Sequence, residues 1–188
     1  MANNDIEIEI KFKLLNKEEV RDFLDKNGES TSKNVTQKDT YFIPAHRDFL
    51  EPEFPYEWLR LRETNKGAYI TYKHFYPENV EKTDYCDEFE TRVENAESIK
   101  KIFGSLNMKE AVVVSKSRDT WIFEDVEIAI DDVEGLGSYI ELETTLPYDN
   151  PVDGKDYLAA ILEKLGAKLG EQDFRGYPYL IHAQLLKK

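Results

Sequence analysis

Charged and apolar residues alternate without a miss at the start of the chain. Residues 5–14 read DIEIEIKFKL, and a period of two over ten residues predicts a β-strand. Further strands are predicted at residues 38–43, 58–62, 68–74, 85–93, 112–118, 119–124, 126–131 and 139–145. A series of short strands of this kind is typical of an antiparallel sheet.

Apolar residues at helical spacing interrupt the strands in four places. The first predicted helix follows Asn16, a suitable N-cap, and ends before Gly28. Two others cover residues 96–106 and 155–165, and a short one begins at Pro178. Many short strands with few helices predict an α+β fold, a closed antiparallel β-barrel of about eight strands with amphipathic helices packed outside. Because the sequence has no long linker or internal repeat, residues 1–188 are expected to form a single domain.

The composition excludes several classes of function. A net charge of −13 argues against nucleic-acid binding, because an acidic protein repels a polyanion. Cys86 is the single cysteine, so an intramolecular disulfide is impossible. No segment approaches 18 consecutive apolar residues, and residues 1–5 do not resemble a leader. We therefore expect a cytoplasmic protein that binds neither nucleic acid nor membrane.

The charged positions of the predicted strands permit two interpretations. In a half-exposed sheet one polar face lies in water and its charges form cross-strand pairs, which explains any single strand. The choice of residues favours a binding site instead. Paired cations such as Arg60 and Arg62 match phosphate oxygens, and paired carboxylates such as Glu7 and Glu9 are hard ligands for Mg²⁺ or Mn²⁺. A triphosphate requires both kinds of group, so we expect a metal-dependent enzyme that binds a triphosphate-containing small molecule.

In a closed sheet, the alternation of charged and apolar residues would decide which side chains point inward and which point outward. One set of alternate residues would then point inward, where it could not be solvated like an open face. Apolar residues such as Ile8 and Ile10 would point outward and require cover. The predicted amphipathic helices are the cover that the sequence offers.

A series of motifs follows the order of a known family. The motifs are Glu7-x-Glu9-x-Lys11, segment 37–42 (QKDTYF), segment 59–63 (LRLRE), Thr71-Tyr72-Lys73, Glu88-Phe89-Glu90, Lys116-Ser117-Arg118 and segment 131–143 (DDVEGLGSYIELE). In this order they resemble the CYTH family, which contains class IV adenylyl cyclases and thiamine or inorganic triphosphatases. The resemblance extends from Glu7 to about Tyr179, nearly the full chain.

This resemblance implies a tunnel of eight strands that binds a triphosphate together with Mg²⁺ or Mn²⁺. By the family pattern the metal ligands are Glu7, Glu9 and Glu141, with Glu90 and Glu143 as contributors. The phosphate contacts are Arg60, Arg62, Lys116, Arg118 and Arg175. Lys11 and Lys73 are the catalytic lysines nearest the reacting phosphate, and Asp131 supports the metal or the structure. Homodimers are common in the family, so a homodimer is a further expectation.

Two local features bear on the reaction. The family usually has Ser before its C-terminal Tyr, whereas this chain has Gly176 before Tyr177. Segment 47–49 (RDF) resembles the cyclase-like branch of the family. By analogy with the family, the expected reaction is that of a class IV adenylyl cyclase, which converts ATP to cAMP and pyrophosphate. Hydrolysis of inorganic or thiamine triphosphate is the alternative, and a non-catalytic polyphosphate- or nucleotide-binding module is a third.

Overall fold

The chain folds into β-strands and α-helices that follow the predicted order. The structure is a computed structural model that describes residues 6–148 and 150–185, and the side chains of Ile6 and Glu7 lie outside this description. Within these ranges the strands are β1 (Ile6–Glu7), β2 (Glu9–Leu14), β3 (Glu29–Ile43), β4 (Glu57–Thr64), β5 (Gly67–Tyr76), β6 (Tyr85–Val93), β7 (Lys109–Phe123), β8 (Val126–Val133), β9 (Gly137–Thr144) and β10 (Leu169–Gln172). The helices are α1 (Lys17–Asn27), α2 (Ala96–Ser105), α3 (Pro151–Lys164) and α4 (Tyr177–Leu185).

The described residues group into two units. Unit 1 is drawn from Met1–Val35 and Lys116–Phe174, and unit 2 is drawn from Thr36–Ser115 and Arg175–Lys188. Strands β3 and β7 contribute residues to both units. A single domain over residues 1–188 stays a prediction.

Unit 1 buries the apolar face of its strands beneath helices. Its antiparallel strands lie in the order β7-β8-β9-β2-β10. Ile8 and Ile10 join one hydrophobic core with Val20 of α1 and Leu158 of α3. Burial of each such side chain stabilises the fold by about 1.5–3 kcal/mol relative to exposure. The predicted cover of the outward apolar residues by amphipathic helices is therefore confirmed.

Unit 2 contains a second antiparallel arrangement. Its strands lie in the order β6-β5-β4-β3. Helix α2 begins after Asn95, whose side chain accepts a hydrogen bond from the backbone N–H of Ser98 and so satisfies a donor of the first turn. The ring of Phe103 on this helix packs edge-on against Phe42 of β3, with 4.9 Å between ring centroids. This contact ties α2 to the strands.

The structure departs from several of the predicted elements. The predicted strand at 5–14 is interrupted at Ile8 between β1 and β2, and the predicted strands at 112–118 and 119–124 are one strand, β7. Strand β3 begins at Glu29, well before the predicted start at residue 38. Its first residues are polar and mostly exposed, so they lack the apolar alternation from which a strand is predicted. Strand β10 was not predicted, and its four residues likewise carry no period-two signal.

The predicted fold class is confirmed. The chain is α+β, with antiparallel strands and with amphipathic helices on their apolar side. Within residues 6–148 and 150–185, none of the helices has the length and apolar character needed to cross a membrane.

Candidate active site

A cluster of charged residues of unit 1 lies on one face of its strands. Lys11 of β2 is directly opposite Glu141 of β9, and Arg118 of β7 is directly opposite Asp131 of β8. Residues two apart on a strand share a face, which adds the remaining members. This unit-1 cluster consists of Glu9, Lys11, Lys116, Arg118, Asp131, Glu141 and Glu143.

Asp131 orients two cations of the unit-1 cluster. Its carboxylate is fully buried, and it accepts hydrogen bonds from Nζ of Lys116 at 2.8 Å and from Nε and Nη2 of Arg118 at 2.7 Å each. Burial alone would raise the pKa of Asp131, but the charges of Arg118 and Lys116 outweigh it and hold the pKa below its ordinary value. The carboxylate therefore stays ionised and fixes both cations.

Lys11 is held between two carboxylates. Its Nζ lies 2.8 Å from Oε2 of Glu141 and 3.7 Å from Oε1 of Glu9. Burial would lower the pKa of Lys11, but Glu141, Glu9 and Asp173 outweigh burial and raise it above its ordinary value. A lysine that keeps its proton cannot act as a general base, so its predicted catalytic role would be to neutralise charge on phosphate.

Glu141 is the matching anion of this pairing. Its carboxylate also lies 3.2 Å from Nη2 of Arg118. Burial would raise the pKa of Glu141, but Arg118, Lys11 and Lys116 hold it well below the ordinary value. Glu141 is therefore an ionised carboxylate, as a metal ligand must be.

Three further carboxylates bear on the predicted metal site. Glu9 is directly opposite Glu143, and Glu143 is directly opposite Glu127 of β8. Hard oxygen donors of this kind suit Mg²⁺ or Mn²⁺. Among the side chains described for residues 8–148 and 150–185, however, no three His, Cys, Asp or Glu are grouped closely enough to hold a metal. The donor chemistry fits a divalent metal, but completing the ligand set would require Glu7, which lies outside the described side chains, or rearranged carboxylates.

A second set of residues, charged except for Thr71, lies on one face of the unit 2 strands. Asp39 of β3 is directly opposite Arg62 of β4, and Lys73 of β5 is directly opposite Glu88 of β6. Arg60 is directly opposite Thr71, which is directly opposite Glu90. This unit-2 cluster consists of Asp39, Arg60, Arg62, Thr71, Lys73, Glu88 and Glu90.

The cations of the unit-2 cluster are also paired. Nζ of Lys73 lies 2.6 Å from Glu88, and Nη2 of Arg60 donates to Oγ1 of Thr71 at 2.9 Å and to Glu90 at 3.3 Å. Burial would lower the pKa of Arg60, but nearby groups, Asp39 first among them, raise it above the ordinary value. Glu90 thus contacts a cation and a hydroxyl in this structure, and its role as a metal contributor stays a prediction.

The two clusters share one layout. In each, a buried aspartate is directly opposite an arginine, and a second cation lies two residues before that arginine on the same strand: Asp131 with Arg118 and Lys116, Asp39 with Arg62 and Arg60. Each cluster also contains a lysine directly opposite a glutamate. Each unit by itself therefore presents the fork-shaped cations that phosphate recognition uses.

Arg175 was predicted to contact phosphate, and the structure places it among aromatic rings. Its guanidinium carbon lies 4.4 Å from the ring centroid of Phe54 and 4.2 Å from that of Tyr179. These distances are those of cation–π contacts. The adjacent Gly176 adopts a φ of +84°, a conformation that a serine would adopt only with strain. The backbone conformation thus accounts for glycine at the position where the family usually has Ser.

A separate network lies on the opposite face of β4 and β5. The hydroxyl of Tyr72 donates to Glu57 at 2.5 Å, and Nη2 of Arg47 lies 2.8 Å from the same carboxylate. Burial, followed by the hydrogen bond to Glu57, raises the pKa of Tyr72 to about 12. Glu57 and Arg47 also line a cavity of about 460 Å³. Arg47 of the segment 47–49 thus belongs to this network.

Several members of the two faces had no predicted role. Asp39 lies in a motif that carries the resemblance, but its place on the face with Arg62 follows from strand register. Glu88 and Thr71 likewise contact cations of the unit-2 cluster. Glu127 lies between the apolar residues Val126 and Ile128 in β8. This alternation could have predicted that Glu127 lies on the charged face of the strand.

Comparison with known proteins defines the class to which this fold and these clusters belong. A CYTH domain model matches residues 5–177. The chain is 38% identical to "Putative adenylate cyclase MJ0240" of Methanocaldococcus jannaschii over 148 residues. The aligned residues cover 79% of this chain and 82% of that protein. The structure of the PH1819 protein from Pyrococcus horikoshii OT3 is 28% identical, with a TM-score of 0.78 over 97% of this chain and 99% of that chain. The Hippeastrum protein HpAC1, described as a "putative adenylyl cyclase" with a dominant triphosphatase activity, shares the fold at 17% identity, with a TM-score of 0.59 over 95% of each chain.

The class is thus that of CYTH-domain enzymes, a family that acts on triphosphate substrates. The chain belongs to the CYTH domain family.

Proposed function

We propose that this protein is a divalent-metal-dependent enzyme that acts on a triphosphate-containing small molecule, and specifically a class IV adenylyl cyclase. One observation carries the proposal: the buried carboxylate of Asp131 accepts hydrogen bonds from both Lys116 and Arg118 and so fixes this pair of cations. A solvated strand face would not require such buried pairs, because surface charges gain little from pairing. Similarity to the Methanocaldococcus jannaschii protein supports the cyclase.

The cations of each cluster are suited to bind phosphate. A triphosphate carries about four negative charges near neutral pH, and guanidinium forks bind its oxygens in pairs. By the family pattern, Lys11 and Lys73 are the catalytic lysines, and their role would be to neutralise charge that develops on phosphate. The carboxylates that pair with these lysines in this structure, Glu141 and Glu88, would exchange partners when phosphate binds.

The carboxylates of the unit-1 cluster would hold the metal. This cluster contains four carboxylates against three cations, whereas the unit-2 cluster contains three of each. Glu9, Glu141 and Glu143 would supply oxygen ligands together with Glu7. When bound, Mg²⁺ or Mn²⁺ would polarise the phosphate oxygens and stabilise the charge of the leaving group.

The proposed reaction needs positioning more than a protein nucleophile. The ribose 3′-oxygen of ATP forms a bond to the α-phosphorus while the bond to the β-phosphate oxygen breaks. Pyrophosphate leaves, and the proton of the 3′-hydroxyl passes to solvent. Fixed cations lower this barrier because they need not reorganise as charge develops.

A triphosphatase is the second candidate. The same fold occurs in HpAC1, for which a dominant triphosphatase activity is described. In that reaction water would attack the terminal phosphorus, and orthophosphate would leave the site. The same cations and carboxylates would serve, since the two reactions differ in which phosphorus faces the attacking oxygen.

Product analysis separates the two reactions. The purified protein is incubated with ATP, tripolyphosphate or thiamine triphosphate, each with Mg²⁺, with Mn²⁺ or with EDTA. Metal-dependent formation of cAMP and pyrophosphate from ATP is the expected result. Orthophosphate from tripolyphosphate without any cAMP from ATP would reject the cyclase and favour the triphosphatase. Binding without turnover under every metal would reject both enzymes.

A further inference from the structure

Asp39 stands out among the residues to which no role was assigned. Its side chain is 1% exposed. Both of its oxygens are used by one partner, because Nε of Arg62 donates to Oδ1 at 2.8 Å and Nη2 of Arg62 donates to Oδ2 at 2.7 Å. Nη1 of Arg60 lies 3.8 Å from Oδ2. One buried carboxylate thus faces the two arginines of β4.

The geometry of this group limits the orientation of both arginines. A bidentate bond through Nε and Nη2 fixes the plane of the Arg62 guanidinium. Arg60 lies two residues away on the same strand, about 7 Å along it, and its Nη2 is held by Thr71 and Glu90. Without Asp39 the long side chain of Arg62 would regain rotamer freedom that a phosphate would have to remove.

We propose that Asp39 is a positioning residue, which holds Arg62 in the orientation that binds the phosphates of the substrate. This proposal rests on the proposed function, since it assumes that Arg62 binds triphosphate. Asp39 itself repels phosphate, so it acts through Arg62 and not by contact. Its counterpart in unit 1 is Asp131, which binds Arg118 in the same bidentate manner.

The alternative is that Asp39 only stabilises the fold. The two possibilities differ in what the variant Asp39→Asn would do to the folded protein. An asparagine keeps the shape but replaces one acceptor oxygen by a donor, which Nη2 of Arg62 cannot use. A positioning role predicts weaker triphosphate binding by protein that is still folded, whereas a purely structural role predicts a lower melting temperature with unchanged affinity.

The test combines binding and turnover measurements. Affinity for tripolyphosphate with Mg²⁺ is measured by calorimetry, and kcat and KM are measured with whichever substrate the wild type turns over. For Asp39→Asn we expect affinity to fall and KM to rise by about 10- to 100-fold, as is typical when a residue that orients a ligating group is lost, while kcat changes by less than about threefold. Asp22→Asn removes an exposed carboxylate from α1 and is the matched control, with affinity and KM like those of the wild type.

A double-mutant cycle supplies the decisive comparison. If Asp39 acts through Arg62, then Asp39→Asn combined with Arg62→Ala should bind tripolyphosphate as weakly as Arg62→Ala alone, within about twofold. Losses that multiply, or an unchanged affinity in Asp39→Asn, would overturn the inference. If circular dichroism shows that Asp39→Asn is unfolded, Arg62→Lys takes its place, because lysine keeps the charge but cannot form the bidentate bond. Wild-type affinity in Arg62→Lys would then overturn the inference.

The outcome also separates this inference from the proposed function. A wild type that neither binds nor turns over any triphosphate would refute the proposed function. A wild type that does both, with an Asp39→Asn variant of equal affinity, would refute only the role of Asp39.

Discussion

Replacement of Asp131 by Asn tests how much the buried charges of unit 1 depend on one carboxylate. The substitution keeps the shape of the side chain and removes its charge. Lys116 and Arg118 would then be left partly buried without the anion that accepts three of their hydrogen bonds. Removing one partner of a buried ion pair costs about 3–5 kcal/mol of folding free energy, because the remaining charge is uncompensated.

This cost converts into a measurable change in melting temperature. For a chain of this size, 1 kcal/mol shifts the melting temperature by about 2–4 °C. Asp131→Asn should therefore melt about 6–20 °C below the wild type. Urea unfolding followed by tryptophan fluorescence gives the free energy independently, and Asp22→Asn should stay within about 0.5 kcal/mol of the wild type.

The pH dependence of the same pair of proteins provides a second readout. The pKa of Asp131 is depressed in the folded state, so its contribution is present above the unfolded value of about 3.9 and is lost as the pH falls through the lower folded value. The stability gap to Asp131→Asn should be constant from about pH 5 to pH 8 and should shrink below about pH 4. A gap under about 1 kcal/mol at pH 7 would show that the ion pairs of Asp131 do not stabilise the folded state.

Three further predictions concern single residues. Glu9→Gln should lose metal-stimulated turnover while melting within about 3 °C of the wild type, because Glu9 lies 3.7 Å from its lysine partner; an unchanged response to Mn²⁺ would remove Glu9 from the ligand set. Tyr72→Phe should lack a phenol that ionises near pH 12. Since the pKa of Tyr72 is raised in the folded state, the contribution of this phenol to stability should be present below about pH 10 and should fade as the pH rises toward 12. An ultraviolet titration of the variant identical to that of the wild type would contradict this prediction. Gly176→Ser should cost about 1–2 kcal/mol, because φ is +84° there; a more stable variant in urea unfolding would contradict the strain.

The sequence predicted most of the strands because one side of each is buried in a regular way. Strand β8, with Val126, Ile128 and Ile130 in the core, shows the pattern at its clearest. The first part of β3 could not be found in this manner, because its strand conformation depends on bonds to β7. Oγ1 of Thr31 donates to the backbone oxygen of Thr120, and Asp119 accepts a hydrogen bond from the backbone N–H of Asn34. Such partners are distant in sequence and leave no local pattern.

The sequence predicts which charged residues lie on the strands of the candidate site, but it does not predict which carboxylate pairs with which cation. The sequence indicates that Arg62 and Glu90 belong to charged strands, but it does not say which carboxylate faces which cation. That depends on register, which sets Asp39 opposite Arg62 and Glu90 opposite Thr71. Register also brings Glu127 opposite Glu143. The assignment of metal ligands, phosphate contacts and catalytic lysines from the family pattern, and the homodimer, stay predictions.

Calorimetric titration with tripolyphosphate in the presence of Mn²⁺ tests the central claim most directly, namely that cations fixed by buried carboxylates bind triphosphate. The proteins compared are the wild type, Arg118→Ala and Arg60→Ala, one variant for each cluster. We predict that the wild type binds triphosphate and that the affinity is at least about tenfold weaker in each variant, since each loses a charge-assisted bond to phosphate. Wild-type affinity in either variant would contradict the claim.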